Sequence, residues 1–373
     1  MNVANELMKQ DERAIYGLRS LYRSYGYTPF KMSKFEEYDL YVRNKSFLVS
    51  DHIITFTDMG GKLMALKPDV TLSIVKNSKD TAGGVEKVYY DENVYRVSNG
   101  HSSYREIMQA GLECIGDVDR YCIAEVLTLA VESLSRISPD FVLDVSHLGI
   151  LSSVLDTVGV SDKSRAALLH CVSEKNLHGI DEICLSEGLD PTAADPLKAL
   201  VTGYGDAESV LSMLSERFGN NEKIAEMLAE LSEILSTLPK GKIRVDFSVV
   251  NDLGYYNGIV FNGFINGIPQ SILSGGQYDN LMRRMGRRSR AIGFALYLDL
   301  LEELGREPVA YDVDAVLLYS TEDAPARVIE AVRALSEGEK YSVTAARAIP
   351  EKLRYRRLLK LTQEGVEEIE THA

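Results

Sequence analysis

A carboxylate and a hydroxyl stand two residues apart at Asp69 and Thr71, directly after Lys67-Pro68. Proline there would end a strand and aim both side chains off its tip. Such a pair accepts and orients an ammonium group. The same residues also fit a turn in which Asp69 caps a helix. A second stretch, Val94-Tyr95-Arg96, runs into the polar segment Ser98 to Ser103 and returns through Tyr104-Arg105-Glu106. Arg96 and Arg105 at the two rims suit a phosphate or a carboxylate, because a guanidinium binds either one bidentately. On the return strand Gln109, Gly111 and Glu113 share one face by period two. They read as a polar pocket floor in which Gly111 leaves room for a ligand. A solvent-facing side of a sheet has the same pattern.

Two later stretches are of the same kind. Asn251-Asp252-Leu253-Gly254-Tyr255-Tyr256-Asn257-Gly258 precedes a β-rich run. Buried tyrosines want partners for their hydroxyls, so Tyr255 and Tyr256 suit a small polar ring; hairpin packing is the other reading. Ser274-Gly275-Gly276-Gln277-Tyr278-Asp279 follows, then Ile292-Gly293-Phe294-Ala295-Leu296. Paired glycines let a backbone approach a ligand closely, although a Gly-Gly pair alone says little.

The elements that must hold these residues alternate in character. Apolar spacing predicts a helix over 5–26, a strand over 27–32, and strands over 47–57 and 62–66 about a Gly60-Gly61 turn. A short helix over 71–77, two strands within 85–97, a longer strand over 106–115, a helix over 123–136 and a strand over 141–146 follow. From about 148 to 238 helical spacing replaces strand patterning. Strands resume over 243–247, 258–265 and 268–274, and 291–303 starts as a strand and continues as a helix. A short α/β unit then runs through 315–345 and stops before a charged tail, whose last residues, 366–373, are expected to fray. The expected class is α+β, an antiparallel sheet flanked by helices. Expected divisions are 1–147 and 241–306 for the two parts of a core, 148–240 for a helical insertion, and 307–373 for a small α/β unit.

Bulk properties narrow the class. The 373 residues suit two or three domains. At 45% apolar and 26% charged this is ordinary globular composition, with no apolar run of the roughly 20 residues a membrane span needs. Residues 1–13 resemble neither a signal nor a transit peptide. Cys114, Cys122, Cys171 and Cys184 have no CxxC spacing; disulfides or zinc would also fit four cysteines, but the expectation is reduced thiols of a cytoplasmic protein, without a metal site. A net charge of −14 leans against nucleic acid. The one dense basic stretch, Arg283 to Arg290, fits a solvated loop or subunit contact as well as an RNA patch.

The order and separation of the four stretches resemble the histidyl-tRNA synthetase core of the class II aminoacyl-tRNA synthetase family, over about residues 5 to 305. Lys67 to Thr71 looks like that family's Arg-Pro-Glu-Gly-Thr, and Tyr95 to Glu113 like its second signature motif. Asn251 to Gly258 looks like its Arg-Gly-Leu-Asp-Tyr-Tyr-x-Gly segment. Ser274 to Asp279 and Gly293 to Leu301 look like its glycine-rich segment and third motif. The resemblance implies a histidine pocket in which Asp69 and Thr71 hold the α-amino group, Gln109 and Glu113 form the floor with Glu113 near the imidazole, and Tyr255 and Tyr256 flank the ring. Arg96 and Arg105 would be possible anion or phosphate contacts.

Departures from the family fall on the chemistry of activation. Its carboxylate-polarising arginine is Asn251 here, and its third-motif arginine is Leu300. Its motif-two glutamate is Ser98, the arginine of its glycine-rich segment is Gln277, and its first-motif proline is Ser33. The adenine-proximal loop is one residue short and lacks an Arg-Pro pair. Attack of a carboxylate on an α-phosphate needs fixed positive charge, and one lost donor costs about 2.7–4 kcal/mol. Only about sixty residues follow Pro308, too few for an anticodon-binding domain. This combination is similar to the regulatory subunits of ATP phosphoribosyltransferase. That implies a non-catalytic, cytoplasmic, cofactor-free histidine sensor. It would form homodimers within a hetero-octamer with a short catalytic subunit, at the first step of histidine biosynthesis, and tRNA would not be its partner. The resemblance also admits a divergent histidine–tRNA ligase, or a paralogue recruited to another ligand.

Overall fold

Helix α1 (Gln10–Ser24) buries Leu18, Leu21 and Tyr22 along one stripe, as its apolar spacing requires. The computed structural model describes residues 10–45, 48, 53–79, 83–97, 104–250, 255–304, 311–338 and 341–371. They divide into two compact units, Met1–Leu304 and Gly305–Ala373.

In the first unit, α1 leads to β1 (Thr28–Pro29), β2 (Phe35–Glu37), α2 (Tyr38–Arg43), β3 (Thr55–Thr57), β4 (Leu63–Leu66) and α3 (Thr71–Asn77). The three strands β2, β4 and β3 form a small antiparallel sheet in that order. Gly61, at φ +81, makes the β3–β4 turn, where Asp58 Oδ1 accepts the Gly60 and Lys62 amides at 2.9 and 2.8 Å. Of the strand expected over 47–57, only Thr55–Thr57 is extended among the described residues.

Then come β5 (Val85–Val97), β6 (Tyr104–Gly116), α4 (Arg120–Ile137) and β7 (Phe141–His147). The expectation of two strands within 85–97 is corrected: β5 is one strand, paired with β6 from Val85–Gly116 to Val97–Tyr104. Its polar middle looks like a break, but each polar side chain there has a tertiary partner. Arg19 grips Asp91 at 2.6 and 2.7 Å, Lys67 reaches Glu92 at 2.6 Å, and Asn93 donates to Glu106 at 2.5 Å.

The helical stretch holds α5 (Leu148–Val158), α6 (Asp162–Ser173), α7 (Leu177–Ser186), α8 (Asp195–Thr202), β8 (Gly205–Asp206), α9 (Ala207–Phe218) and α10 (Glu222–Ser236). Local chemistry sets most starts. His147, Ser161, Asn176, Asp206 and Asn221 each accept an amide of the first turn of the helix they precede. Two-residue β8 is an exception to the expected loss of strands. Its Asp206 pairs with Arg244 of β9 (Ile243–Val245). The apolar faces of these helices, Leu214, Leu228 and Leu231 among them, join one core with Leu129, Val154 and Phe261.

Strands β10 (Ile259–Ile265) and β11 (Leu273–Gln277), helix α11 (Asp279–Arg284) and β12 (Arg290–Tyr297) complete the first unit, before a 3-10 turn over Leu298–Glu303. Among the described residues the central sheet has nine strands in the order β1-β5-β6-β12-β11-β10-β7-β9-β8. In the basic stretch, Arg284 and Arg287 donate to the carbonyls of Arg43, Val75 and Lys76, and Arg290 to that of Val118. These guanidiniums tie chain segments together. No helix among the described residues is long and apolar enough to cross a membrane.

The second unit has β13 (Val313–Leu318), α12 (Pro325–Gly338), β14 (Val343–Ala346), β15 (Tyr355–Thr362) and β16 (Gly365–Thr371), in a sheet ordered β14-β13-β15-β16. Val328 and Leu335 of α12 pack on Ala315, Leu317, Leu359 and Leu361. Regular structure therefore runs on past 345, and the tail expected to fray is strand up to Thr371. Strand β16 is an edge with every residue exposed. Its glutamates need no burial and discourage association, so the apolar alternation that marks a strand is missing.

Helix α4 carries the first prediction. The Asp119 carboxylate accepts the Cys122 amide at 2.9 Å and caps it. Asp119→Ala should cost about 1 kcal/mol in urea unfolding, and an unchanged midpoint would show that the cap is redundant.

Candidate functional site

Antiparallel register assembles the site. On β6, Gln109, Gly111 and Glu113 lie opposite Glu92, Tyr90 and Val88 of β5. On the other side they lie opposite Tyr297, Ala295 and Gly293 of β12. Strand β11 adds Gly276 and Ser274, and β10 adds Asn262. Period two brings all of these to one face of the sheet. A cavity of about 410 Å³ rests on that face. Asp69 and Thr71 enter it from the turn between β4 and α3, Arg96 from the end of β5, Tyr255 and Tyr256 from before β10, and Tyr278 from just after β11.

All six residues expected to form the pocket, and Arg96, therefore line one cavity. Arg105 does not line it; its Nη2 donates to Asp299 Oδ2 at 3.3 Å. Asp69 Oδ1 accepts the Leu72 amide at 2.9 Å in the first turn of α3, as the turn reading expects, and the residue also borders the cavity. Arg96 Nε donates to the Pro68 carbonyl at 3.1 Å, which holds the Asp69 turn in place.

Glu113 is the centre of the hydrogen bonding and is 2% exposed. Thr71 Oγ1 donates to its Oε1 and the Tyr278 hydroxyl to its Oε2, both at 2.7 Å. Burial pushes the Glu113 carboxyl up to about 8, against the lowering effect of the two hydroxyls and with a further push from Asp69. Asp69 is also raised by burial, opposed by the Leu72 amide and by Arg96. Burial raises Tyr90, Tyr255, Tyr256 and Tyr278 as well, so all four stay neutral phenols. The Tyr255 and Tyr256 rings lie 4.5 Å apart between centroids, inclined at 59°.

Glycine makes this layer possible, and for a different reason than the sequence suggests. A Cβ on Gly111 would lie 2.3 Å from the Phe294 carbonyl oxygen of β12 and 2.5 Å from the Tyr90 hydroxyl, so Gly111 makes room for the neighbouring strand and the Tyr90 side chain and not directly for a ligand. A Cβ on Gly293 would come within 1.8 Å of Glu113 Oε2; Gly293 is the space in which that carboxyl lies.

Positions that differ from the synthetase pattern have structural occupations. Leu300 is 8% exposed and belongs to the main core. Gln277 is buried, and its Oε1 accepts the Ile259 amide at 2.7 Å, fastening the start of β10. Lys67 is fully buried against Glu92. Asn251 and Ser98 lie outside the described residues. Sequence reasoning did not select Tyr90, Tyr278, Asn262, Ser274 and Tyr297, which also line the cavity. Tyr278 and Ser274 sit in the glycine-rich stretch, where attention falls on the glycines. Tyr90 becomes visible only once β5 is seen as one strand in register with β6. Among the described residues there is no group of three or more metal-binding side chains.

A family model described as histidyl-tRNA synthetase matches residues 2–301. A histidine–tRNA ligase of Methanococcus vannielii is 31% identical over 76% of this chain and 69% of its own. An ATP phosphoribosyltransferase regulatory subunit of Caldanaerobacter subterraneus is 30% identical over 75% of each chain. Among solved structures, an ATP phosphoribosyltransferase regulatory subunit/histidyl-tRNA synthetase from Bacillus halodurans superposes with a TM-score of 0.71 at 24% identity, covering 90% of this chain and 88% of that one. An ATP phosphoribosyl transferase (HisG:HisZ) complex from Thermotoga maritima contains a chain that superposes with a TM-score of 0.59 at 20% identity, covering 77% and 97%. At these identities the two superpositions speak to the fold.

Proposed function

The chain belongs to the histidyl-tRNA synthetase family and has its class II fold, and from that premise we propose that it is a histidine-sensing, non-catalytic regulatory subunit of ATP phosphoribosyltransferase. One observation carries this reading: the cavity is equipped for an amino acid and poorly equipped for a triphosphate. Among the described residues its lining has two acids, Asp69 and Glu113, and one guanidinium, Arg96, whose Nε braces Pro68. Polyphosphate chemistry needs several fixed positive charges around the reacting centre. Arg105 is engaged with Asp299, and a buried leucine, Leu300, stands at the family's third-motif arginine position.

Histidine would sit with its ammonium group toward Asp69, Thr71 and Gln109, its ring between Glu113 and the tyrosines, and its carboxylate toward the free end of Arg96. The relative from Caldanaerobacter subterraneus and the complex from Thermotoga maritima support a partnership with a short catalytic subunit. The assembly would be cytoplasmic, with homodimers of this chain inside a hetero-octamer. Feedback would follow from histidine binding one quaternary state more tightly than another.

Calorimetry should give saturable heat with histidine and none with glutamine or lysine. Co-expression with a short ATP phosphoribosyltransferase chain should give a complex whose activity histidine inhibits. The 31% identical ligase favours a second reading, a divergent synthetase. Histidine-dependent pyrophosphate exchange from ATP above the blank rate would establish that reading and overturn ours. Heat with another amino acid in place of histidine would point to a recruited paralogue.

A further inference from the structure

Glu113 is a buried acid with no cation against it among the described residues. Both its oxygens accept hydrogen bonds from neutral hydroxyls, Thr71 of α3 and Tyr278 beyond β11. The other titratable side chains around the cavity are Asp69 before α3, Tyr90 on β5, Tyr255 and Tyr256 before β10, and Tyr297 on β12. Of the charged neighbours on β5, Arg96 gives its Nε to the Pro68 carbonyl and its charge to Asp69, and Glu92 pairs with Lys67, so neither neutralises Glu113. A carboxylate buried in this way is costly unless it is neutralised by a proton or by a cation. Among the described residues, the place the geometry leaves for a cation is the cavity itself.

We propose that the pocket holds its amino acid with the ring protonated, so that Glu113 and the ligand share one proton, which Glu113 carries when the pocket is empty and the ring carries when it is full. This rests on the histidine reading above. On binding, the O–H bond of Glu113 breaks and an N–H bond forms at the ring nitrogen facing it. An imidazolium–carboxylate pair remains between Thr71 and Tyr278, with no other group transferred. The site then selects a side chain able to become a cation at its far end, beyond matching the shape of a five-membered ring.

The proton count gives the proposal a signature. A free imidazole titrates at about 6.5, and burial holds Glu113 at about 8. Between these values Glu113 arrives protonated and the ring neutral, so the proton only changes owner and none is exchanged with solvent. Below them the ring already carries a proton, and binding releases the one on Glu113. Above them neither group carries a proton, and binding takes one up.

Calorimetry of histidine binding in buffers of different ionisation heat, at about pH 6, about pH 7.2 and about pH 8.5, reads this count. Release, near zero and uptake are expected in that order. The isostere 1,2,4-triazole-3-alanine, whose ring stays neutral near pH 7, should bind about tenfold or more weakly than histidine. A proton count that is the same at all three pH values, or an analogue that binds as tightly as histidine, overturns the proposal and leaves histidine as the ligand. Absence of any histidine heat removes the histidine reading and this proposal together.

Discussion

Glu113→Gln should stabilise the protein above about pH 8 while removing most of its affinity for histidine. The Glu113 carboxyl is held at about 8 in the folded chain against an ordinary value of 4.5. The folded state thus binds this proton more tightly than the unfolded state does. Where the unfolded state binds fewer protons, stability falls as pH rises. The contribution of Glu113 is therefore most favourable below about 4.5, declines between there and about 8, and above that the fold bears the full cost of a buried carboxylate. That loss is roughly 3–5 kcal/mol, from the separation of the two values. Glutamine fits the same space between Thr71 and Tyr278 and cannot ionise. Urea unfolding of both proteins should give similar stabilities at about pH 5 and a clear advantage for the variant at about pH 8.5. The difference between the two proteins, not the parent's own profile, isolates this group. Histidine affinity should fall by roughly 10- to 100-fold, the weight of a hydrogen bond to a charged group. A variant less stable than the parent at the higher pH would mean that the carboxylate is well compensated where it lies.

Gly293→Ala should be the most disruptive single methyl in the site. The added Cβ would meet Glu113 Oε2 at 1.8 Å and the Leu112 carbonyl oxygen at 2.4 Å. The first could be relieved by rotating Glu113, which would pull it away from Thr71 and Tyr278. The second is backbone of the paired strand β6 and can yield only if the ladder opens. Overpacking typically costs about 1–3 kcal/mol and occasionally more, with this contact at the upper end, and the displaced carboxyl should take histidine binding with it. Gly338→Ala is the matched control, because a Cβ there meets nothing within 4 Å. Thermal melts should show a large loss for the first and little change for the second. If Gly293→Ala melts with the parent and still binds histidine, the packing of Glu113 against β12 is looser than its distances imply.

Much of this site can be read without coordinates. Period two alone places Gln109 and Glu113 on one face of β6, and the Lys67-Pro68-Asp69 turn alone brings Asp69 and Thr71 to the tip of β4. Helix α3 spans 71–77, as its sequence predicts, because local propensity and burial agree there. The sequence by itself determined these local choices and, through the order of four motifs, the family. Tertiary structure decided what lies next to Glu113. Tyr278 reaches it from beyond β11, and Gly293 makes room for it from β12. Those neighbours depend on the register between strands far apart in the chain, which no local preference specifies. The same holds for β5, whose polar middle is a strand only because Arg19 and Lys67 come from elsewhere to meet it, and for β16, which is ordered by the edge it pairs with. The character of Glu113 follows the same rule. The residue type supplies a carboxyl, and only the packing, which buries it and, among the described residues, brings hydroxyls but no cation, turns it into a group that needs a proton or a charged ligand.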